Sequence, residues 1–472
     1  MSELKDANTN PWYVLMTLYG EQERERVDWE LAEKNRKVWN AWACQELSDE
    51  ERARVCASSQ VEVADTLGWS DVEAEVRKMH RAEMVKRNSK GFSYTGFPDF
   101  DEAIRLSEIR FSNPVELEKR IFTQVANFRS ATFTQAASFR YVIFMQNANF
   151  PSATFTQGAS FDSAIFRQDA YFYSATFTQN AEFPSATFTQ GAYFFSAIFR
   201  QDAYFHSATF RQDAKFRFAT FEGPAKFVGT RFGLRDGGQI CVPDFTEAVL
   251  AKLVSFRKAE FPQYYPVLAG AVFSGKVIVT ADKAFWPSMD QVLLDEVSGD
   301  AEHISTKEVA KESSATLRHE MGRQGLPEEE HFFFRREMEF ARQLGLSKSK
   351  EVWPYFKAWP YWIFKTFSGY GESITRPLIW LGIAFVTFAV MFSAYFNWMN
   401  EFYDKAFAAA APFTLSGANL FSFLGFHRFY FSSLGFAEMH WFVQFLCAVE
   451  VVMGLVLLFF LGLGLRKRFR LR

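Results

Sequence analysis

The 472-residue sequence is poor in cysteine, with only Cys44, Cys56, Cys241 and Cys447. These four stand far apart, so neither a disulfide framework nor a close-spaced thiolate metal motif is written here. A reducing compartment is expected. No charge of one sign dominates: 52 Lys and Arg face 54 Asp and Glu, a formal net charge of -2. That balance excludes a general pull towards nucleic acid, and no nucleic-acid partner is expected. The opening residues, MSELKDANTN, lack an apolar core, so a signal peptide is not expected. The seven histidines are scattered. No nucleophile–base set, phosphate loop or ligand cluster accompanies them, so no catalytic residue, cofactor or metal is expected. The chain is not read as an enzyme. With 49% hydrophobic and 22% charged residues, disorder is excluded as well.

Phenylalanine is present in excess, at 57 residues. From Phe122 to Phe232 it recurs with spacings that alternate between six and five. Alanine stands two residues before most of these positions, as in Ala131/Phe133, Ala159/Phe161 and Ala203/Phe205. On an α-helix a five-residue step turns about 140° and a six-residue step about 240°, which would split the ladder between two faces. On a strand, residues two apart share a face. Each Ala-x-Phe therefore points one small and one large side chain inward. Polar stretches such as Thr156-Gln157-Gly158 and Arg167-Gln168-Asp169 are expected at the corners. Two five-residue and two six-residue sides close a coil of about 22 residues. The ladder predicts a core of stacked rings that includes Phe133, Phe139, Phe155, Phe161, Phe177, Phe183, Phe199 and Phe205.

The Ala-x-Phe units resemble the pentapeptide-repeat family, with one extra residue in every second unit, which is expected to bulge at a corner. The resemblance implies a right-handed quadrilateral β-solenoid. Residues 152–184 and 185–217 are near copies, 33 residues apart, or one and a half coils. Equivalent outer residues then fall on opposite faces, which suits an interaction surface better than a catalytic constellation. Thr-Phe-Thr at 132–134, 154–156 and 176–178 would stack on one side, and β-propensity accounts for it better than ice binding. Between 122 and 232 basic residues outnumber acidic ones, against the DNA mimicry of acidic family members.

Two stretches are apolar enough to cross a bilayer: 377–398, with no charge, and 441–465, with Glu450 alone. Basic residues precede the first and follow the second, while the connection has only Lys405 and Arg428. Both termini are therefore expected in the cytoplasm. Expected partners are the lipid bilayer and either another protein or a second copy, met through the membrane helices. Span, loop and span resemble a degenerate two-span ion-channel pore. Ser433, Gly435, Phe436 and Glu438 would form its filter-like turn, Phe421–Phe431 its pore helix, and Glu450 an intramembrane site. Ala437 stands where a filter would need a second glycine.

The fold class is thus mixed: a quadrilateral β-solenoid with an N-terminal helical cap and two C-terminal transmembrane α-helices. The expected divisions are a helical region 1–95, a solenoid 96–286 with regular core 122–232, and a charged helical connector 287–350. An aromatic juxtamembrane segment 351–376, the span 377–398, an external loop 399–440, the span 441–465 and a basic tail 466–472 follow. Helix starts are expected at Ser48 and Ser70, each followed three residues later by Glu. Within 351–376, Pro354 and Pro360 are expected to prevent one ideal helix. The whole order resembles bacterial membrane-anchored pentapeptide-repeat proteins, which implies the bacterial inner membrane. The leading expectation is a cytoplasmic protein-interaction or scaffold module. The alternative is an oligomeric pore with a solenoid regulatory domain.

Overall fold

The computed structural model describes residues 4–23, 26–58, 60–88, 94, 96–234, 240–289, 306–347, 354–398, 405–424 and 439–468. The chain falls into two compact units, Met1–Phe340 and Ala341–Arg472.

The first unit is a parallel β-solenoid of about eight turns, built from sheets of nine, seven, eight and six strands. Most strands are two residues long, and each pairs with the strand one coil away. Thr154 and Phe155 lie opposite Thr176 and Phe177, and Ala148 lies opposite Ala170, a 22-residue register. One side per sheet closes each coil: Thr132–Phe133, Ala137–Ser138, Ile143–Phe144 and Ala148–Asn149.

The phenylalanines form four columns. In one, Phe133 stacks on Phe155 at 4.7 Å and Phe155 on Phe177 at 4.9 Å, with planes within 2°. Between columns the rings meet edge to face, as Phe139 and Phe150 do at 5.5 Å and 88°. Both arrangements suit the aromatic quadrupole. Phe133, Phe139, Phe155, Phe161, Phe177, Phe183, Phe199 and Phe205 are all buried, and each alanine two residues before one of these rings is buried beside it.

The corners are of two kinds. In each five-residue step the chain turns tightly: Ala131 N–H donates to Phe128 O, and Ala153 N–H to Phe150 O. The third residue of that turn has positive φ, at Ser130, Tyr141, Ser152, Ser163 and onward every eleven residues. This is the geometry of a type II turn, and Pro151 and Pro184 occupy the position where proline suits it. The polar stretches expected at the corners therefore make only alternate ones. They lie in the six-residue steps, where no such turn bond closes, and these steps carry the extra residue.

After Phe232 the ladder shifts register. Ala214 pairs with Pro243, and Phe232 stacks on Phe261, an offset of 29 in place of 22. Seven residues are inserted near 233–241, and beyond them Phe245, Leu250, Phe256 and Phe261 resume the inward positions. Past the regular core expected at 122–232, the repeat continues as an insertion followed by a resumed ladder.

Helices cover both ends of the solenoid. At the N-terminal end lie α1 (Pro11–Met16), α2 (Trp29–Ala43), α3 (Asp49–Ala57) and α4 (Trp69–Arg87). Ser48 and Glu51 form a reciprocal capping box on α3. The expected cap at Ser70 does not form, because the cap falls two residues earlier, at Gly68, whose φ of 77° sets the entry turn without a side-chain bond. Trp39 lies 5.2 Å from Phe122 with the rings tilted at 51°, and donates its indole N–H to Ile121 O at 2.9 Å. Lys5–Asp6 pairs with Ile109–Phe111 as the outermost strand of the nine-stranded sheet.

At the other end α5 (Thr306–Arg323) and α6 (Pro327–Ser347) pack on the last coils. Phe333 meets Trp286 edge-on at 5.1 Å, and Arg336 donates to Tyr265 Oη at 2.6 Å and to Pro287 O at 3.1 Å. The charged helices expected as a connector are thus largely a second cap. Arg318 and Glu337 pair across them at 2.7 Å.

The second unit holds α7 (Pro354–Ser368), α8 (Thr375–Trp398), α9 (Lys405–Leu420) and α10 (Trp441–Arg468). Against expectation, α7 is continuous. Pro354 takes the first helical position, where its missing N–H costs nothing, and Pro360 lies within the helix. The expected external loop 399–440 contains α9, which packs against both α8 and α10.

Candidate functional site

Glu450 lies in the first half of α10, nine residues after Trp441, and is fully buried. Two residues of α9 reach it. Ser416 Oγ contacts Glu450 Oε1, and Asn419 Nδ2 donates to Oε2 at 2.8 Å. Ser416 Oγ is also 3.2 Å from the carbonyl oxygen of Phe385 on α8. One turn beyond Glu450, Gly454 allows α9 to approach. A Cβ there would sit 2.6 Å from Leu420 O.

The polar trio is therefore fixed by a glycine contact and by three side chains that are each wholly buried. Sequence reasoning found Glu450 but missed Ser416 and Asn419. Their signal was Ser-x-x-Asn at helical spacing within an apolar run. Ser433, Gly435, Phe436 and Glu438 lie outside the described residues. So does most of Phe421–Phe431, of which Ser422–Leu424 forms a short 3₁₀ turn. The helix that reaches Glu450 precedes that segment.

α8 and α10 are each long and apolar enough to cross a membrane. Their outer faces are apolar and exposed, with Ile379, Val386 and Val390 on α8 and Phe445, Val452 and Phe459 on α10.

On the solenoid, a cleft of about 790 Å³ opens between Val27 and Trp29 and the eight-stranded sheet. Glu116, Ser138, Ser160 and Glu182 line it one above another. Burial pushes the Glu116 carboxyl up to about 7, although Glu118 N–H donates to it at 2.8 Å.

Another surface carries an aromatic band. Tyr171 stacks on Tyr193 at 5.2 Å, and Tyr173 lies 5.3 Å from Phe195. Tyr171 Oη donates to Asp169 at 2.8 Å. The same pair recurs 33 residues on, as Tyr204 and Asp202 at 2.8 Å. The first Tyr belongs to the seven-stranded sheet and the second to the eight-stranded sheet. The threonines of the Thr-Phe-Thr triplets act locally, since Thr134 and Thr156 donate to the carbonyls of Phe111 and Phe133 one coil below. Among the described residues no three metal-ligating side chains converge.

Four ring columns, a 22-residue register and Ala-x-Phe sides define one repeat type. A family model for pentapeptide repeats, nine copies long, matches residues 121–165 and 150–198. Residues 121–198 carry pentapeptide repeats. No curated protein and no solved structure matches the chain. The pentapeptide repeats extend in space beyond the matched residues, because coils on either side stack in register on them.

Proposed function

We propose that the chain is a membrane-anchored pentapeptide-repeat protein of the bacterial inner membrane, whose solenoid is a protein-interaction scaffold on the cytoplasmic side. The observation that carries the anchor is the outward apolar surface of α8 and α10, which a water-soluble helix would bury. At ~1.5 Å per residue, 24 residues of α8 span roughly 36 Å, enough for a hydrocarbon core of about 30 Å. The basic residues Arg466, Lys467 and Arg468 at the end of α10 favour a cytoplasmic terminus. A scaffold role fits the duplication, which puts like surface features on opposite sides and gathers no reactive set.

Flotation of the full chain with liposomes, compared with a chain ending at Glu351, tests the anchor. Co-flotation of the full chain alone is the expected result. Equal behaviour of both would reject it.

One observation favours a second reading, an oligomeric pore. α9 enters between the two long helices and brings Ser416 and Asn419 to Glu450. Ion flux through vesicles that is lost in Gly454→Leu would support it, and silence from intact oligomers would oppose it.

A further inference from the structure

Ser416 stands between two acceptors with one hydrogen to give. Its Oγ is 3.2 Å from Phe385 O and in hydrogen-bond contact with Glu450 Oε1. A hydroxyl donates once and accepts on its lone pairs. With Glu450 ionised, Phe385 and Glu450 compete for that hydrogen, and one of the two oxygen pairs is left facing without a proton.

A protonated Glu450 removes the conflict. Its O–H donates to Ser416 Oγ, Ser416 donates to Phe385 O, and Asn419 Nδ2 donates to the remaining carboxyl oxygen at 2.8 Å. Each hydrogen then has one acceptor, and the chain of bonds joins α10 to α9 and α8.

The surroundings agree. Glu450, Ser416 and Asn419 are fully buried, and an isolated ionised carboxylate is costly in such a place. Cys447, one turn earlier on α10, is a buried thiol facing the same cluster. The charged residues of the neighbouring helices stand at their ends. Arg376 is nine residues from Phe385 on α8, and Lys405 is eleven from Ser416 on α9. Arg466, Lys467 and Arg468 end α10. No cation among the described residues of these three helices is placed to balance a charge on Glu450.

We propose that Glu450 is an intramembrane proton-binding site, occupied at neutral pH, whose proton closes the hydrogen-bond chain holding α9 between α8 and α10. The membrane location rests on the reading above, but the proton follows from the three-helix geometry alone. Loss of the proton sets Phe385 and Glu450 against each other for Ser416, so deprotonation loosens α9.

Infrared spectroscopy of the full chain in lipid vesicles at about pH 7, with Glu116 replaced by Gln because its carboxyl is raised to about 7, tests this, since exposed carboxyls are then ionised. The expected result is a carboxylic-acid carbonyl band that moves on transfer to D2O and is missing in Glu450→Gln. Glutamine keeps the packing, because its amide N–H replaces the acid O–H. Absence of the band while Glu450 is intact, or its persistence in Glu450→Gln, overturns the proposal. If that variant does not fold, Ser416→Ala serves instead. Removing the acceptor must shift the band, and an unmoved band overturns the proposal equally. Should the protein not float with vesicles, the membrane reading fails alone, and the same band measured in detergent still decides the proton.

Discussion

The ring of Phe261 lies 4.9 Å from the indole of Trp286, nearly parallel at 24°. Trp286 thereby ends the column that runs from Phe122 through Phe144, Phe166, Phe188, Phe210 and Phe232. At the opposite end of the same column Trp39 covers Phe122. A stack of identical rings has no intrinsic end, since each ring leaves one face for the next. Here two tryptophans carried by non-repeat segments supply those ends, and helices shield them.

A mid-column ring is costly to lose. Phe161 is sandwiched by Phe139 and Phe183, each at 4.8 Å. Phe161→Ala is expected to destabilise the solenoid by about 3–5 kcal/mol in chemical denaturation. Phe218 is 46% exposed, off the ladder, and held at a φ of 58°. Phe218→Gly is expected to be neutral or stabilising by up to about 1 kcal/mol, because glycine adopts that backbone freely.

Asn40 acts as a clamp between α2 and the first coils. Its Nδ2 donates to Lys119 O at 3.0 Å, and its Oδ1 accepts from Ile121 N at 3.0 Å. Asn40→Leu leaves both backbone groups without partners and is expected to cost about 2–4 kcal/mol. Hydrogen exchange at the Ile121 amide should accelerate before exchange in the central coils does.

Glu116 makes stability depend on pH. Its folded carboxyl is raised from 4.5 to about 7, so the folded state holds the proton more tightly than the unfolded chain. Stability from this group is full below about pH 4.5 and declines as pH rises to about 7. Glu116→Gln should flatten that part of the profile, with a difference of at most about 3 kcal/mol at neutral pH. Urea midpoints measured at about pH 5 and pH 8 check it: the variant should gain relative stability at the higher value.

At Gly454 the end of α9 lies against the backbone of α10. A Cβ would fall 2.6 Å from Leu420 O and 2.8 Å from Leu420 Cα, both backbone atoms that cannot swing aside. Gly454→Leu is expected to displace α9 and speed limited proteolysis within 399–440. Gly462→Ala, where a Cβ meets nothing within 4 Å, should leave the rate unchanged.

The solenoid was legible because every inward position repeats one side-chain type, so the period survives in a single sequence. Its continuation past Phe232 was obscured by the inserted residues, which hide the register of Phe245 and Phe256. The tight corners were written as Pro151-Ser152 and Pro184-Ser185, but most copies carry other residues before Ser, and Ser does not announce a positive φ. Glu450 stood out as a lone charge in an apolar run. Its partners did not, because Ser416 and Asn419 belong to a helix whose composition resembles a loop as much as a span. The end caps were half legible: tryptophans mark them, but which coil each covers is settled only by stacking.

The 33-residue copy has a further geometric consequence. A duplication of 22 residues would add one storey to the solenoid and leave each later side above its counterpart. A duplication of 33 adds a storey and a half, so whatever follows is carried half a turn around the axis, as Tyr171 and Tyr204 show by standing in different sheets. The C-terminal helical cap sits downstream of that copy. Its azimuth on the rod therefore differs by half a turn from the one a 22-residue copy would give it.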